Sequence, residues 1–298
     1  MEIRRNWTDR FEELLKSQQV EYLRMEDILL REYGSIIIPL GPVIQEKPKY
    51  EVDARFVFKN LKGKLVWWSY QESKSGECQW YAVVKDKHTL LADYKSANTR
   101  NQIKKGLKSN EVRRIPLRFF LENGFPVYKK VMRSFNSTKK IEERDFVINH
   151  SGYQGFEDII HFWGIFQQEV LIGYAIIYCY EKQEANISEV RIHPGFQKDY
   201  PSYALFHNLS EYYLGKGGFQ YLSDGYRTLL HKTGVQELLI KKFHFHKEPL
   251  HLEVRFRPPF DVLVRFLRPF QQVPFIPSSL KAVLKLQTIY YQQKRLPE

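Results

Sequence analysis

The order of predicted strands and helices in the second half of the chain restricts its fold more than any other feature. Apolar runs at 162–166, 171–180 and 187–192 predict three successive strands, and His193-Pro194-Gly195 ends the third. The later elements are a helix with Pro201 in its first turn, a strand at 219–222, a helix at 235–242 opened by the capping box Thr233 to Gln236, and a strand at 251–256. The order β-β-β-α-β-α-β over residues 160–257 predicts an α/β class with helices packed on an open sheet.

The first half of the chain carries weaker signals, which still predict alternating helices and strands. Helices are expected from Thr8, at 52–61, at 100–108, at 117–122 and at 127–135, and strands within 22–40 and at 64–70, 81–84 and 112–115. In the helix at 100–108, Asn98-Thr99 is the expected cap, and Ile103 and Leu107 are expected to face inward. The polar stretch 136–145 has no periodicity and is predicted to be a linker or loop.

Charge and cysteine content narrow the possible partners. The chain has 46 Lys and Arg against 34 Asp and Glu, a formal charge of +12, which indicates an anionic partner such as nucleic acid, a nucleotide or a lipid headgroup, or else a surface that is basic only for solubility. Only two cysteines, Cys78 and Cys179, are present, so a disulfide framework and a cysteine zinc site are excluded. With no signal peptide or membrane-spanning run, we expect a cytoplasmic location.

A basic stripe follows the helix at 100–108. Arg100, Lys104, Lys105 and Lys108 recur at the spacing of neighbours on one helix face. Such a stripe predicts an anion-binding surface, with a solvated helix face as the alternative.

Three motifs resemble those of a known enzyme group. They are Ser96 to Lys105, the run from Pro201 through Gly217-Gly218 to Ser223-Asp224-Gly225, and Gly234 to Phe243. In order and spacing they are similar to the FemABX group of the GNAT acyltransferase superfamily. The resemblance implies a GNAT-like α/β (α+β) fold with mixed sheets flanked by helices. It also implies two tandem GNAT-like units, at 1–115 and 116–258, followed by a basic amphipathic extension at 259–298.

The resemblance implies a cytoplasmic transferase, an N-acyltransferase that moves an acyl or aminoacyl group directly to an amine. No tightly bound cofactor is implied, and the co-substrate is acyl-CoA or aminoacyl-tRNA. Acyl-CoA enzymes of the superfamily place two glycines before the helix so that backbone N–H groups reach a pyrophosphate. Counting from Gln197, this chain has Tyr200 and Ser202 at those positions. A non-catalytic GNAT-fold protein that binds nucleic acid or anionic lipid is therefore the alternative.

The resemblance also assigns residues to the site. Tyr226 stands where superfamily members place a tyrosine acid, with packing under the next helix as the alternative, and Asp224 would orient the acceptor amine or simply form an Asp-Gly turn. The donor- and acceptor-binding candidates are Arg191, Gln197, Ser202, Tyr203, Ser223, Arg227 and Lys241. Arg191 could clamp a phosphate or carboxylate, and no pairing with Glu189 is predicted. No metal site is predicted, since His244 and His246 lack further ligands.

Two other features have competing interpretations. Trp67, Trp68 and Trp80 could stack on bases but are more typical of a core. The extension combines the apolar run 260–270 with a helix at 278–296 that has lysines opposite its apolar residues. It either lies on anionic lipid, which would place the protein at the inner face of the membrane, or packs on its own domain or a second copy.

Overall fold

The structure is a computed structural model that describes residues 6–26, 28–49, 52–71, 79–134, 141–229, 234–270 and 277–294. The helices are α1 (Trp7–Ser17), α2 (Ala54–Asn60), α3 (Ala97–Ser109), α4 (Leu117–Ser134), α5 (Glu143–Ser151), α6 (Pro201–Ser210), α7 (Gly234–Phe243), α8 (Phe260–Leu267) and α9 (Ser278–Gln293). The strands are β1 (Tyr22–Met25), β2 (Ile28–Tyr33), β3 (Ile36–Leu40), β4 (Leu65–Tyr70), β5 (Tyr81–Lys85), β6 (Glu111–Ile115), β7 (Ile160–Gln167), β8 (Val170–Tyr180), β9 (Glu184–Ile192), β10 (Tyr221–Tyr226), β11 (His246–Pro249) and β12 (His251–Phe256). None of the helices in these ranges has the length and apolarity needed to cross a bilayer.

The strands form two mixed sheets. The first has the order β1-β2-β3-β4-β12, in which β3 and β4 are parallel and the other neighbours antiparallel. The second has the order β11-β5-β10-β9-β8-β7-β6, with antiparallel pairing from β6 to β9 and parallel pairing of β9 with β10. Mixed sheets flanked by helices confirm the predicted α/β class.

The chain divides into two compact units, and each draws on three stretches of sequence. The described residues of Met1–Leu14, Val84–Gly225 and Glu237–His246 form unit 1, and those of Leu15–Val83, Tyr226–Gln236 and Lys247–Glu298 form unit 2. The contiguous units at 1–115 and 116–258, which the resemblance implied, stay a prediction. The boundaries of the two compact units lie at other positions.

Aromatic rings fill the core of unit 1 between helices α4 and α5 and the sheet. Phe120 of α4 stacks on Phe162 of β7 with ring centroids 4.8 Å apart and meets Tyr174 of β8 edge-on at 5.0 Å. Phe146 of α5 lies 5.3 Å from Phe120, and all four side chains are at most 1% exposed. Aromatic pairs at these distances add to the free energy of burial. This packing fixes β7, β8 and, through its ladder with β8, β9.

Helix α4 is one helix, whereas two short ones were predicted at 117–122 and 127–135. Pro126 lies inside it, where a proline removes one backbone donor and would normally break the helix. Phe120, Phe125 and Val131 are buried along its length, and this burial on both sides of Pro126 outweighs the lost hydrogen bond. The sequence prediction failed here because a proline signal is local, whereas the burial comes from the tertiary fold.

Unit 2 is built on the five-stranded sheet. Leu30, Ile37 and Val66 of the sheet and Val57 of α2 are all fully buried in one apolar cluster. Helix α9 packs on β12, where the Gln293 side chain accepts a hydrogen bond from Leu252 N at 3.1 Å and donates to Leu250 O at 3.0 Å. The C-terminal helix therefore packs on its own unit, which decides between the two alternatives for that part of the extension.

Several elements differ from the sequence predictions. Strand β12 pairs with β4 in the first sheet, although it was predicted to complete the sheet of residues 160–257, because element order alone does not define strand pairing. Helix α5 starts at Glu143, within the stretch predicted to be a loop, and residues 135–140 of that region lie outside the described residues. Residues 223–225 continue strand β10, whereas the prediction ended that strand at 222.

The cap and the inner face of α3 also need correction. Ser96 caps the helix, with its Oγ accepting a hydrogen bond from Thr99 N at 3.3 Å, whereas Asn98-Thr99 was predicted. Ile103 is fully buried as predicted, but Leu107 is 37% exposed. For α7, Thr233 of the predicted capping box lies outside the described residues.

Candidate active site

The parallel pair of β9 and β10 is where the sheet of unit 1 opens. The register joins Tyr221–Ser223 to Glu184–Asn186 and ends there, although β9 continues to Ile192. Strand β9 stays paired with β8 along its whole length, including the part beyond Asn186. Open α/β sheets bind ligands in the crevice outside the carboxyl ends of such parallel strands. The opening is therefore the candidate site in unit 1.

A buried polar cluster lies at the last rung before the opening. Ser223 Oγ donates to Glu184 Oε1 at 2.6 Å and accepts from Asn186 Nδ2 at 2.7 Å. Glu184 and Ser223 are both 0% exposed, and a carboxylate this deep requires hydrogen bonds to offset its lost hydration. Ser223 was predicted to bind substrate, but its hydroxyl is engaged in this cluster. Sequence reasoning missed Glu184 and Asn186, since no motif or spacing marks them.

Asp224 and Gly225 continue β10 past the last rung. Asp224 is half-buried, and Gly225 has φ +75°, in the left-handed region that favours glycine. A Cβ on Gly225 would lie 3.9 Å from Asn186 Nδ2, which is an ordinary contact distance. Glycine is therefore favoured here by the backbone conformation and not by a lack of space for a side chain. The backbone therefore leaves the regular strand geometry directly after Asp224, at the mouth of the opening.

Arg191 lies farther along β9, where it forms an ion pair. Its Nε is 3.2 Å from Glu189 Oε1, and Tyr174 Oη donates to the same carboxylate oxygen at 2.8 Å. The sequence analysis was wrong to leave this pair out, because residues two apart share a strand face. Burial and the Glu189 charge raise the pKa of Tyr174, which keeps its hydroxyl a donor. A phosphate bound to Arg191 would have to compete with Glu189.

Helix α6 starts after the short 3₁₀ turn Pro194–Asp199 that follows β9. Tyr200 adopts φ +54°, and its carbonyl accepts from Tyr203 N at 3.0 Å and Ala204 N at 3.2 Å. The side chain of Tyr200, the residue at the N-cap of α6, makes no capping hydrogen bond, so it does not offset the positive end of the helix dipole.

The three predicted binding residues near this helix start differ in exposure. Gln197 is exposed and Ser202 is half-buried. Tyr203 is 9% exposed, and its ring packs 5.4 Å from that of Phe243. Burial raises the pKa of Tyr203. Tyr203 is thus part of the core, while Gln197 and Ser202 stay accessible.

Helix α3 lies directly against the start of α6. A Cβ on Gly106 would come 2.6 Å from Tyr200 O, so the two helices approach as closely as glycine permits. Lys105 Nζ lies 5.2 Å from the centroid of the Tyr200 ring, within the range of a cation–π contact. The basic stripe therefore brings one positive charge to the N-terminus of α6.

The other three basic residues of the α3 stripe differ in what their side chains contact. Arg100 Nη1 donates to Tyr94 O and to Lys95 O, the latter at 3.1 Å, so this guanidinium holds the segment before α3. Lys104 and Lys108 are exposed on the helix surface. The exposed part of the predicted anion-binding stripe therefore consists of lysines rather than of Arg100.

Tyr226 and Arg227 fall in unit 2. The Tyr226 ring meets Trp67 edge-on at 5.1 Å and stacks on Trp80 at 5.7 Å. Arg227 donates through Nη1 to Gln79 O, and its backbone N donates to Tyr81 O at 2.9 Å. The sequence analysis gave packing under the next helix as the alternative for Tyr226 and a place in the core as the alternative for the tryptophans. The ring contacts place Tyr226 among these tryptophans.

Lys241 lies on an exposed face of α7. Its Nζ is 3.2 Å from Glu237 Oε2, one turn earlier, and its side chain is 69% exposed. Such surface pairs contribute little to stability. This ion pair lies within α7 and does not connect Lys241 with the opening.

Cys179 is buried in a polar network of unit 1. Its Sγ is 3.4 Å from His161 Nδ1, and that nitrogen is 2.8 Å from Tyr213 Oη. Burial raises the pKa of the Cys179 thiol to about 12 and lowers that of His161 to about 4. A neutral thiol beside a neutral imidazole is a structural arrangement, not an activated nucleophile.

Like Glu184, Lys85 at the end of β5 is a buried ionisable residue that the sequence analysis missed. Its side chain is 1% exposed, and its Nζ has no hydrogen-bond partner in the described part of the chain. The ammonium lies 5.7 Å from the ring centroid of Tyr94, and burial lowers the pKa of Lys85 to about 8.

Within the described ranges, no group of three or more His, Cys, Asp or Glu side chains could hold a metal ion. His244 stacks on Tyr94 at 5.2 Å in unit 1, and His251 stacks on Tyr70 at 4.8 Å in unit 2.

Comparison with known proteins defines the fold. No protein-family model matches the chain, and no curated protein matches it in sequence. Among solved structures it is similar to FemX, with a TM-score of 0.56 at 8% identity over 87% of this chain and 93% of that one. It is also similar to the C-terminal domain of a protein assigned as a lysylphosphatidylglycerol synthetase from Agrobacterium fabrum, with a TM-score of 0.53 at 13% identity over 87% and 90% of the two chains. The fold of the chain is therefore GNAT-like. More narrowly, the fold is FemABX-like, as the sequence motifs implied.

Proposed function

We propose that this protein transfers an acyl or aminoacyl group from an anionic carrier directly to an amine. The observation that carries the proposal is the end of the β9–β10 ladder in unit 1, where β9 continues through the turn Pro194–Asp199 to the N-terminus of α6. An opening of this kind accepts a substrate between two strands, and a helix N-terminus attracts an anion. The FemABX-like fold supports the same conclusion, and the donor is either acyl-CoA or aminoacyl-tRNA.

In the proposed reaction the acceptor amine attacks the acyl carbonyl carbon. A new C–N bond forms, the bond from that carbon to the carrier sulfur or oxygen breaks, and one amine proton must leave. Asp224, at the mouth of the opening, would hold the amine and accept that proton. Tyr226, two residues further along β10, would protonate the leaving carrier atom.

Positive charge would hold the donor. Lys105 stands at the N-terminus of α6, and the exposed Lys104 and Lys108 extend the charge along α3. Tyr200 and Ser202 replace the glycines of the usual pyrophosphate loop, which makes a side-chain-based anion site more suitable than a backbone cradle. Arg191 and Gln197 are the remaining residues that we propose to contact the donor or acceptor.

A non-catalytic binding protein is the second candidate. The observations that favour it are the missing glycines and the packing of the Tyr226 ring between Trp67 and Trp80. In that case the lysines of α3 would serve to bind nucleic acid or another polyanion, and Asp224 would have no role in binding.

A transfer assay separates the two candidates. The wild-type protein is incubated with acetyl-CoA or aminoacyl-tRNA and a mixture of amines, and thiol release or deacylation is followed. We expect Asp224→Asn and Tyr226→Phe to lower the rate by roughly 100-fold or more, because each removes a proton-transfer group. Lys130→Met, on the exposed face of α4, is the control. Binding of tRNA or CoA without transfer, and without effect of Asp224→Asn, would contradict the enzyme and support the binding protein.

A further inference from the structure

Helix α8 carries apolar side chains on two opposite faces. Val264 is 0% exposed and anchors the helix to unit 2. Val262, Leu263 and Phe266 point the other way and are 69%, 47% and 70% exposed. A cluster of exposed large apolar side chains marks an interaction site on a protein surface, and the outer face of α8 carries three of them.

The loop at residues 61–64 joins α8 to two more exposed rings. Lys64 N donates to Ser35 O at 2.7 Å, in the turn that follows Tyr33, and Lys64 Nζ lies 5.7 Å from the ring centroid of Phe260 in α8. Tyr33 is 66% exposed, and Phe56, on the α2 helix that leads into this loop, is 46% exposed. All the large exposed apolar side chains in the described part of unit 2 thus occur on elements that meet at this loop. We call Tyr33, Phe56, Val262, Leu263 and Phe266 the α8 patch.

The segments that carry the α8 patch are strongly basic. Residues 31–36, 53–64 and 257–268 contain eight Lys and Arg and only three Asp and Glu. One of the acidic residues, Asp261, is already paired with Arg265 at 2.7 Å. An apolar patch within a basic rim is typical of surfaces that bind anionic lipid, in which apolar groups enter the headgroup level and basic groups contact phosphates.

We propose that the α8 patch docks on the surface of an anionic phospholipid bilayer. A second copy of the chain fits less well, since the eight basic and three acidic residues of these segments give a net charge of +5, and a two-fold contact through the patch would bring two such charges together. Of the extension at 259–298, α8 is the part that would touch lipid, because α9 is packed on β12. Membrane docking in this sense is independent of acyl transfer.

Vesicle flotation of the full-length protein tests the proposal. The vesicles contain either phosphatidylcholine alone or equal parts of phosphatidylglycerol and phosphatidylcholine, at low and high salt. We expect binding only to the anionic vesicles and weaker binding at high salt. Val262→Ser with Phe266→Ser should lower the partition coefficient at least about tenfold, because two apolar side chains no longer insert. Lys59→Ser with Lys62→Ser should lower it roughly tenfold through lost attraction to the lipid charge.

A matched control uses Ile148→Ser with Val170→Ser, two side chains of unit 1 that are 57% and 60% exposed. This variant should bind vesicles as the wild type does, and circular dichroism should show that all variants fold. Failure of the wild type to bind anionic vesicles, or equal binding by the Val262/Phe266 variant, would overturn the proposal. Sedimentation equilibrium tests the alternative. If the wild type forms dimers and the Val262/Phe266 variant alone does not, the patch binds a second copy instead.

Discussion

Replacing Lys85 by methionine should make the protein more stable at neutral pH. The side chain is 1% exposed without a hydrogen-bond partner among the described residues, and burial lowers its pKa from 10.5 to about 8. At about 1.4 kcal/mol per pH unit, this difference corresponds to a cost of about 3 kcal/mol for the charged form in the folded protein. Losing the cation–π contact with Tyr94 returns about 1 kcal/mol, which leaves a net gain of about 2 kcal/mol.

The pH dependence of the stability difference between the wild type and Lys85→Met shows whether the buried charge of Lys85 causes it. Below about pH 8 Lys85 is charged in both states, so the full cost applies and the Lys85→Met variant has its full advantage. Between pH 8 and 10.5 the folded state is neutral while the unfolded chain still binds the proton, so the wild type gains stability and the advantage disappears.

Urea unfolding of both proteins from pH 6.5 to about 10.5 measures this difference. Lys87→Met, an exposed lysine two residues later, is the control and should show no such trend. A Lys85→Met protein that is less stable at pH 7, or whose difference from the wild type does not vary with pH, would refute the reasoning and show that the ammonium is solvated or paired.

Two further predictions concern packing and reactivity. Gly106→Ala should destabilise the protein by about 1–3 kcal/mol, because the new Cβ would lie 2.6 Å from the backbone oxygen of Tyr200. Gly215→Ala, whose Cβ would have atoms of His88 as its nearest neighbours at 3.5 Å, should cost less than Gly106→Ala in the same thermal unfolding experiment. Cys179 should resist iodoacetamide at pH 8 in the folded protein and react after denaturation, because burial raises the pKa of its thiol to about 12; rapid labelling of Cys179 under native conditions, detected by peptide mass spectrometry, would contradict its assignment as a structural residue.

Strong local patterns predicted most of the fold. The strands at β7, β8 and β9 and the proline at the start of α6 follow from alternation and turn chemistry, and these elements are present close to the predicted bounds. The pairing of β12 with β4 was missed, since sequence order does not encode which strand is the neighbour. The single helix α4 was missed because burial around Pro126 is a tertiary effect.

The candidate site was predicted less completely than the fold. The sequence motifs selected Asp224, which lies at the mouth of the β9–β10 opening. They missed Glu184 and Asn186, because a buried carboxylate held by a serine and an asparagine has no sequence signature. They also treated Arg100 as free to bind anions, although its guanidinium is bound to carbonyl groups before α3. Side-chain hydrogen bonding to a nearby backbone cannot be read from charge spacing alone.

The division of both units into separated stretches has a consequence for synthesis on the ribosome. Unit 1 includes Glu237–His246, and unit 2 includes Lys247–Glu298 as well as residues from before position 84. At typical translation rates of about 5–20 residues per second, the nascent chain must wait many seconds before either unit has all of its segments. Strands β1 to β4 emerge early, whereas β12, which pairs with β4, follows more than 180 residues later. Until β12 has been synthesised, the β4 edge of the first sheet lacks this neighbour and is open to pairing with other chains.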